Sequence, residues 1–271
     1  MRVRKRLEEL VATQGREQRL VFGEVAELYD RYRPGYPEAV FDRILEHGDL
    51  GPGDPALEVG CGTGRATLPL ARRRLRLTAL EPSPEMAQMV LLKTADLPSV
   101  RVEESSFEDW SLPDEPFRLV TSAQAWHWVR PEVRYLKAHQ ALGPAGCLAL
   151  IWNTAVKGGT SPELEEAIDD VYRRVAPNVM AGVPGDSDED RRLEIAASGH
   201  FVDVVRDDYP WSTTYSAEHY LALLKTQSDH RLLHPATLER LLEAIAGILA
   251  AHGDELTQSY CTFLYLARRG A

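Results

Sequence analysis

The stretch Leu57-Glu-Val-Gly-Cys-Gly-Thr-Gly-Arg-Ala-Thr67 decides the reading of this chain. An apolar strand leads into glycines at 60, 62 and 64, and Thr67, Leu68, Leu70 and Ala71 then begin a helix. Strand, glycine-rich turn and helix in that order make a site for a nucleotide-type ligand. Glycine is needed there because a side chain would hold the ligand away from the backbone, and because a tight strand-to-helix turn demands positive φ.

The spacing excludes two ligand classes. A dinucleotide fingerprint G-x-G-x-x-G counted from Gly60 would end at Arg65, and counted from Gly62 it would end at Thr67, so neither fits. No Gly-Lys-Ser/Thr follows, so a triphosphate loop fails as well. What stands is Glu58-x-Gly60-x-Gly62-x-Gly64, with an acid just ahead of the glycines. A carboxylate repels a phosphate but attracts a ligand carrying a sulfonium and an ammonium, which is S-adenosylmethionine. Glu81 ends the next apolar segment, LRLTALEP, twenty-one residues after Gly60. That is close to the spacing at which a carboxylate accepts both hydroxyls of a ribose.

Outward from this loop, strands are expected at about 55–60, 75–80, 100–104, 117–123 and 146–152, alternating with helical patterns. This is the signature of a parallel sheet covered by helices on both faces. Phe22, Val25, Ala26, Leu28 and Tyr29 have helical spacing, and Arg33-Pro-Gly-Tyr-Pro breaks it before a second helix near 38–47. Ser161 and Pro162 supply an N-cap and a first-turn proline for a helix bearing Leu164, Ile168, Val171 and Val175. FVDVVR near 201–206 and YCTFLYL at 260–266 read as strands. Helices near 216–226 and 235–251 lie between them, the second with Leu238, Leu241, Leu242, Ile245 and Ile248 on one stripe. The polar run PGDSDED, 184–190, fails as a calcium loop: Arg191 stands where the turn glycine belongs and Ala197 where the closing Glu belongs.

Composition narrows the function classes. A length of 271 residues suits one large α/β domain with an elaboration. A net charge of −10, with 41 acidic against 31 basic residues, argues against nucleic acid as a partner. Cys61, Cys147 and Cys261 form no CxxC pair, so reduced, packed thiols are expected and no metal site. No apolar run approaches the roughly 18 residues of a spanning helix. The basic start at Arg2, Arg4, Lys5 and Arg6 leads into LEEL instead of an apolar signal core. A cytoplasmic protein without membrane contact is the expectation.

The stretch from about 22 to 152 resembles class I S-adenosylmethionine-dependent methyltransferases, in particular the small-molecule branch with trans-aconitate-type enzymes. The motifs that carry the resemblance are VFGEVAELYDRYRPGYP, LEVGCGTGRAT, ALEPSPEM, SSFEDW and SAQAWHWV. It implies a Rossmann-like, seven-stranded, mostly parallel sheet with its last strand antiparallel and a helical cap. Residues 1–48 would form an arm over the cofactor, 49–152 the cofactor-binding core, and 153–271 the rest of the sheet with substrate-covering insertions. By resemblance, Glu58, Gly60, Cys61, Gly62 and Gly64 cradle the cofactor, Glu81 with Pro82 beside it takes the ribose, and Met86 packs on the adenine. Ser106 and Phe107 sit where the family contacts the adenine edge, and Gln124 lies beside the methionine moiety. The family often carries Asp in place of Ser106. Tyr29 and Arg33 resemble the arm that closes over the cofactor, and Arg33 suits its carboxylate or an anionic substrate.

Methyl transfer is an in-line displacement at an activated carbon, so the protein mainly aligns the reactants and excludes water. A base is unnecessary for a carboxylate, useful for a hydroxyl and needed for most carbon acids. His127, just past a strand end, is the candidate base, since imidazole titrates near neutral pH; as an alternative it fixes its loop by hydrogen bonds. Trp152, Asn153, Trp211, Tyr215 and His230 are candidate pocket residues. Methyl transfer to an oxygen of a small molecule, a carboxylate or a hydroxyl, is the expectation, with a carboxylate first on the strength of Arg31, Arg33 and the resemblance. Nitrogen and carbon acceptors, a non-catalytic cofactor-binding module, and a monomer or homodimer also remain open.

Overall fold

The computed structural model describes residues 26–181 and 191–271. Phe22, Val25 and the 184–190 run lie outside them. Seven strands form one sheet: β1 (Pro55–Val59), β2 (Arg76–Leu80), β3 (Val100–Glu103), β4 (Phe117–Ala123), β5 (Leu142–Val156), β6 (Phe201–Ser216) and β7 (Glu255–Arg269). Their order is β3-β2-β1-β4-β5-β7-β6, in a mostly parallel, Rossmann-like arrangement. β1 pairs in parallel with β2 and with β4, β2 with β3, and β4 with β5. As an interior strand paired on both sides, β1 is buried from Ala56 to Val59, which is why it reads as a largely apolar run.

Three strands are longer than their apolar patterns, β7 among them, which extends the expected 260–266 to Glu255–Arg269. β5 begins at Leu142, ahead of the expected 146, because Gly143 and Pro144 hide the period and the register shifts between Phe117 and Leu119. β6 runs on to Ser216 at the sheet edge, where polar residues and Pro210 mask a strand whose residues are mostly exposed or half-buried.

The helices are α1 (Ala26–Tyr32), α2 (Glu38–Gly48), α3 (Thr67–Arg72), α4 (Pro84–Lys93), α5 (Pro131–Ala141), α6 (Pro162–Val175), α7 (Pro177–Ala181), α8 (Arg191–Ala197), α9 (Ala217–Lys225), α10 (Ser228–Arg231) and α11 (Pro235–Ala251). Among the described residues the chain divides into two compact units. A sheet unit comprises 35–153, 191–209 and 262–271, and a helical unit comprises 26–34, 154–181 and 210–261. In the sheet unit, Val40, Phe41 and Ile44 of α2 and Leu70 and Ala71 of α3 pack with Ala56, Leu77, Leu119, Ala149, Ile151, Leu264 and Leu266 of the strands.

In the helical unit, Leu164, Ile168 and Val171 of α6 join Tyr220, Leu223 and Leu224 of α9 and Leu241, Ile245 and Leu249 of α11 in a separate core. The Ser161 hydroxyl accepts from the Leu164 amide at 3.3 Å and Pro162 opens α6. Such an N-cap contributes about 1 kcal/mol. On α11 the residues turned fully inward are Leu241, Ile245 and Leu249, with Leu242 and Ile248 at the margin. No helix among the described residues is long and apolar enough to cross a membrane.

Candidate functional site

The turn after β1 is made almost wholly by backbone. The amides of Gly60 and Cys61 both donate to the Leu80 carbonyl at 2.9 Å, tying the turn to the end of β2. Gly60, Gly62 and Gly64 have φ of 70°, 57° and 88°, the left-handed region where a Cβ is strained. A Cβ on Gly60 would collide with that of Ala125, just past β4, whereas one on Gly62 would meet nothing within 4 Å among the described residues. Gly60 thus lets two strand ends approach, and Gly62 leaves open space beside the backbone. Thr63 is 1% exposed and its hydroxyl oxygen has no hydrogen-bond partner among the described residues. Lys93 Nζ donates to the Thr63 carbonyl at 2.8 Å.

Two carboxylates flank this turn. Glu81, at the end of β2, accepts from the Gly62 amide at 2.8 Å on Oε2 and from the Ser83 amide at 3.0 Å on Oε1. Glu58, on β1, is 1% exposed and accepts from the Thr67 hydroxyl at 2.6 Å. Burial pushes the Glu58 carboxyl up to about 8; the Thr67 hydrogen bond opposes this and the Glu81 charge adds to it. Cys61 is buried and burial drives its thiol well above its ordinary range, so it packs and stays protonated. Thr67 escaped the sequence reading, although it stands in the same string nine residues after Glu58.

Past Glu81, the half-buried Pro82 leads into Ser83, which caps α4 by accepting from the Met86 amide, and Met86 is buried at 4% exposure. After β3, the Ser106 hydroxyl donates to Asp109 at 2.7 Å and accepts from the Asp109 amide at 3.2 Å. Phe107 is buried, its ring 6.0 Å from that of Trp126. After β4, Gln124 has a left-handed φ of 56° and its amide donates to the Ile151 carbonyl at 2.9 Å. His127 lies in the short 3-10 turn Trp126–Trp128. Two adjacent residues of β5 hold these groups: the Gln124 Nε2 donates to the Asn153 carbonyl at 2.8 Å, and the Trp152 indole donates to His127 Nδ1 at 3.4 Å.

Tyr29 and Arg33 belong to the helical unit. The Arg33 guanidinium donates to the Thr226 hydroxyl at 2.9 Å and to the Thr226 carbonyl at 2.8 Å, and lies 5.1 Å from the Tyr29 ring centre. Arg31 is exposed, over Tyr32. Of the pocket candidates, Trp152 and Asn153 fall in the sheet unit, and Trp211, Tyr215 and His230 in the helical unit. His230 is buried with its ring nitrogens bonded to Asp229 at 2.8 Å and Tyr172 at 2.7 Å, and the Tyr215 hydroxyl meets that of Tyr260 at 3.2 Å.

A family model for a methyltransferase domain matches residues 56–146, which hold both carboxylates and the glycine turn. An uncharacterized methyltransferase of Mycobacterium tuberculosis is 30% identical over 239 residues, covering 88% of this chain and 88% of its own length. The chain is a class I S-adenosylmethionine-dependent methyltransferase. A putative type II methyltransferase from Anaeromyxobacter dehalogenans shares the fold, with a TM-score of 0.63 at 20% identity, over 88% of this chain and 98% of that one. A Haemonchus contortus phosphoethanolamine N-methyltransferase, solved with S-adenosylhomocysteine, gives a TM-score of 0.54 at 14% identity, over 92% of this chain and 58% of that one.

The residues of this methyltransferase fit its cofactor. The open side of Gly62 admits a ligand against the backbone, and the unpartnered Thr63 hydroxyl leaves hydrogen-bonding capacity in the turn. The Glu58 and Glu81 carboxyls flank that turn on β1 and β2. A carboxylate attracts the sulfonium and ammonium of such a ligand, and the ligand's positive charge in turn favours the ionised form of Glu58.

Proposed function

We propose that this methyltransferase methylates a carboxylate oxygen of a small organic acid, in line with its likeness to trans-aconitate-type enzymes. One observation supports this above the others: the Trp152 indole donates to His127 Nδ1. An indole N–H can only donate, and a neutral imidazole has one donor and one acceptor nitrogen. His127 held in this way carries its proton on Nε2. Its Nε2–H is a hydrogen-bond donor, and its one lone pair, on Nδ1, is taken up by the indole instead of by a substrate proton. A carboxylate needs no base, and a histidine N–H can hold its second oxygen. The carboxylate reading therefore rests on His127 and Trp152, with Arg33 engaged by Thr226.

When bound, S-adenosylmethionine supplies a methyl carbon already activated by its sulfonium. Around it, Glu81 beside Pro82 would take the ribose, with Gly60, Cys61, Gly62 and Gly64 giving backbone access. Met86, Ser106 and Phe107 would bound the adenine, Gln124 the methionine end, and Glu58 would offset positive charge from beneath. The acceptor can be identified with labelled cofactor and a panel of small carboxylic acids and phenols. A base-labile methyl ester is expected as product. His127→Gln keeps an N–H donor without a titrating ring, and its rate at saturating substrate should stay within a few-fold of the parent. A loss of about 100-fold or more, the scale of a missing general base, together with a phenol ether as product, would overturn the carboxylate reading.

A further inference from the structure

We infer that Asn153 is a positioning residue for cofactor binding: its backbone carbonyl fixes the sense of the Gln124 amide, so that Gln124 offers an acceptor to the ammonium of the methionine moiety. This rests on the proposed place of Gln124 beside that moiety.

A carbonyl oxygen can only accept, so the hydrogen bond at 2.8 Å to Asn153 commits the NH2 group of Gln124 and turns Oε1 the other way. Oε1 makes no hydrogen bond among the described residues. An acceptor so presented suits a donor-bearing ligand. The main chain of Gln124 is itself constrained, by its left-handed φ and by the bond from its amide to Ile151. The Asn153 carbonyl holds its position because the Asn153 side chain is anchored at both ends. Nδ2 donates to the Gly35 carbonyl at 2.8 Å, and Oδ1 accepts from the hydroxyl of Thr262, a fully buried residue of β7, at 2.6 Å. Three segments distant in sequence thus determine which way one glutamine amide faces.

S-adenosylmethionine and S-adenosylhomocysteine both carry the ammonium, whereas methylthioadenosine keeps the adenosine and thioether and lacks the amino-acid moiety. Calorimetry on the full chain with the last two ligands separates positioning from general loosening. Gln124→Met should weaken S-adenosylhomocysteine about tenfold, the scale of one hydrogen bond to a charged group. Asn153→Ala should weaken it several-fold, and the double variant no more than Gln124→Met alone. Methylthioadenosine affinity should be unchanged in all three. In turnover, Asn153→Ala should raise KM for the cofactor and leave kcat within twofold. Thr262→Val should show the same pattern more weakly, and Thr262→Ser should restore it. Equal weakening of both ligands by Asn153→Ala, or no weakening of either, overturns the inference. So does unchanged S-adenosylhomocysteine binding in Gln124→Met. Glu81→Ala is the control for the underlying reading: loss of both ligands there keeps the cofactor site in place even if Gln124 and Asn153 fail.

Discussion

The strand ends of β1 and β2 and those of β4 and β5 belong to one sheet and are built by different means. At β1 and β2 the groups are main-chain amides in left-handed glycine conformations, held by a neighbouring carbonyl and by Glu81. At β4 and β5 they are side chains, Gln124 and His127, held by Asn153 and Trp152. A backbone site admits no variation in side chain without losing its shape, so it suits a ligand that never changes. A side-chain site is retuned by single substitutions, so it suits the part of the proposed site that would meet a particular acceptor.

The largest effect should come from Gly60→Ala, because Gly60 is where the two regions touch. The new Cβ would meet Ala125 and the φ of 70° would be strained. Left-handed strain alone costs on the order of 1–3 kcal/mol, and the collision adds to it. A marked fall in melting temperature and loss of cofactor binding are expected. Gly62→Ala sharpens the contrast: with nothing within 4 Å of its Cβ, it should lose cofactor affinity at a much smaller cost in stability. Equal stability loss in the two variants would break the distinction between a packing glycine and a ligand-facing one.

A smaller effect concerns protons. Glu58 keeps its proton to about 8 in the folded chain because of burial, against an ordinary value of 4.5. Between those values the folded state binds more protons than the unfolded one, so this group's contribution falls as pH rises through the window and levels off above it. Glu58→Gln should flatten the pH dependence of the melting temperature there. A cationic ligand favours the ionised carboxyl, so S-adenosylmethionine should bind more tightly as pH rises towards about 8. Calorimetry in buffers of different ionisation enthalpy should show proton release on binding, and Glu58→Gln should abolish it. The smallest change is Trp152→Phe, which removes a single long hydrogen bond of about 0.5–1 kcal/mol. Nitrogen chemical shifts should report the Nε2–H tautomer of His127 in the parent and a mixture in the variant. A mixture already in the parent would undo the donor assignment.

The backbone region was legible in the sequence because its determinants are local: Glu58, three glycines and Glu81 lie within 24 residues of chain. Strand periods were legible wherever burial was continuous, and failed at Gly143-Pro144 and along the polar edge strand β6. The charge state of Glu58 was hidden, since it follows from complete burial and from Glu81 across the sheet. The partner of Arg33 was hidden too, because Thr226 lies 193 residues away. The position of His127 at a strand end suggests a base, whereas the proposed donor role depends on an indole 25 residues further on.

Gly35, Asn153 and Thr262 are also points at which the chain passes between the sheet unit and the helical one. One asparagine therefore sews together three chain crossings, and every helical segment spliced in at those positions starts or ends on a fixed post. The sheet unit should therefore keep its register when the segments joined at these points are exchanged. Grafts that keep these three residues should fold where cuts a few residues inside them do not.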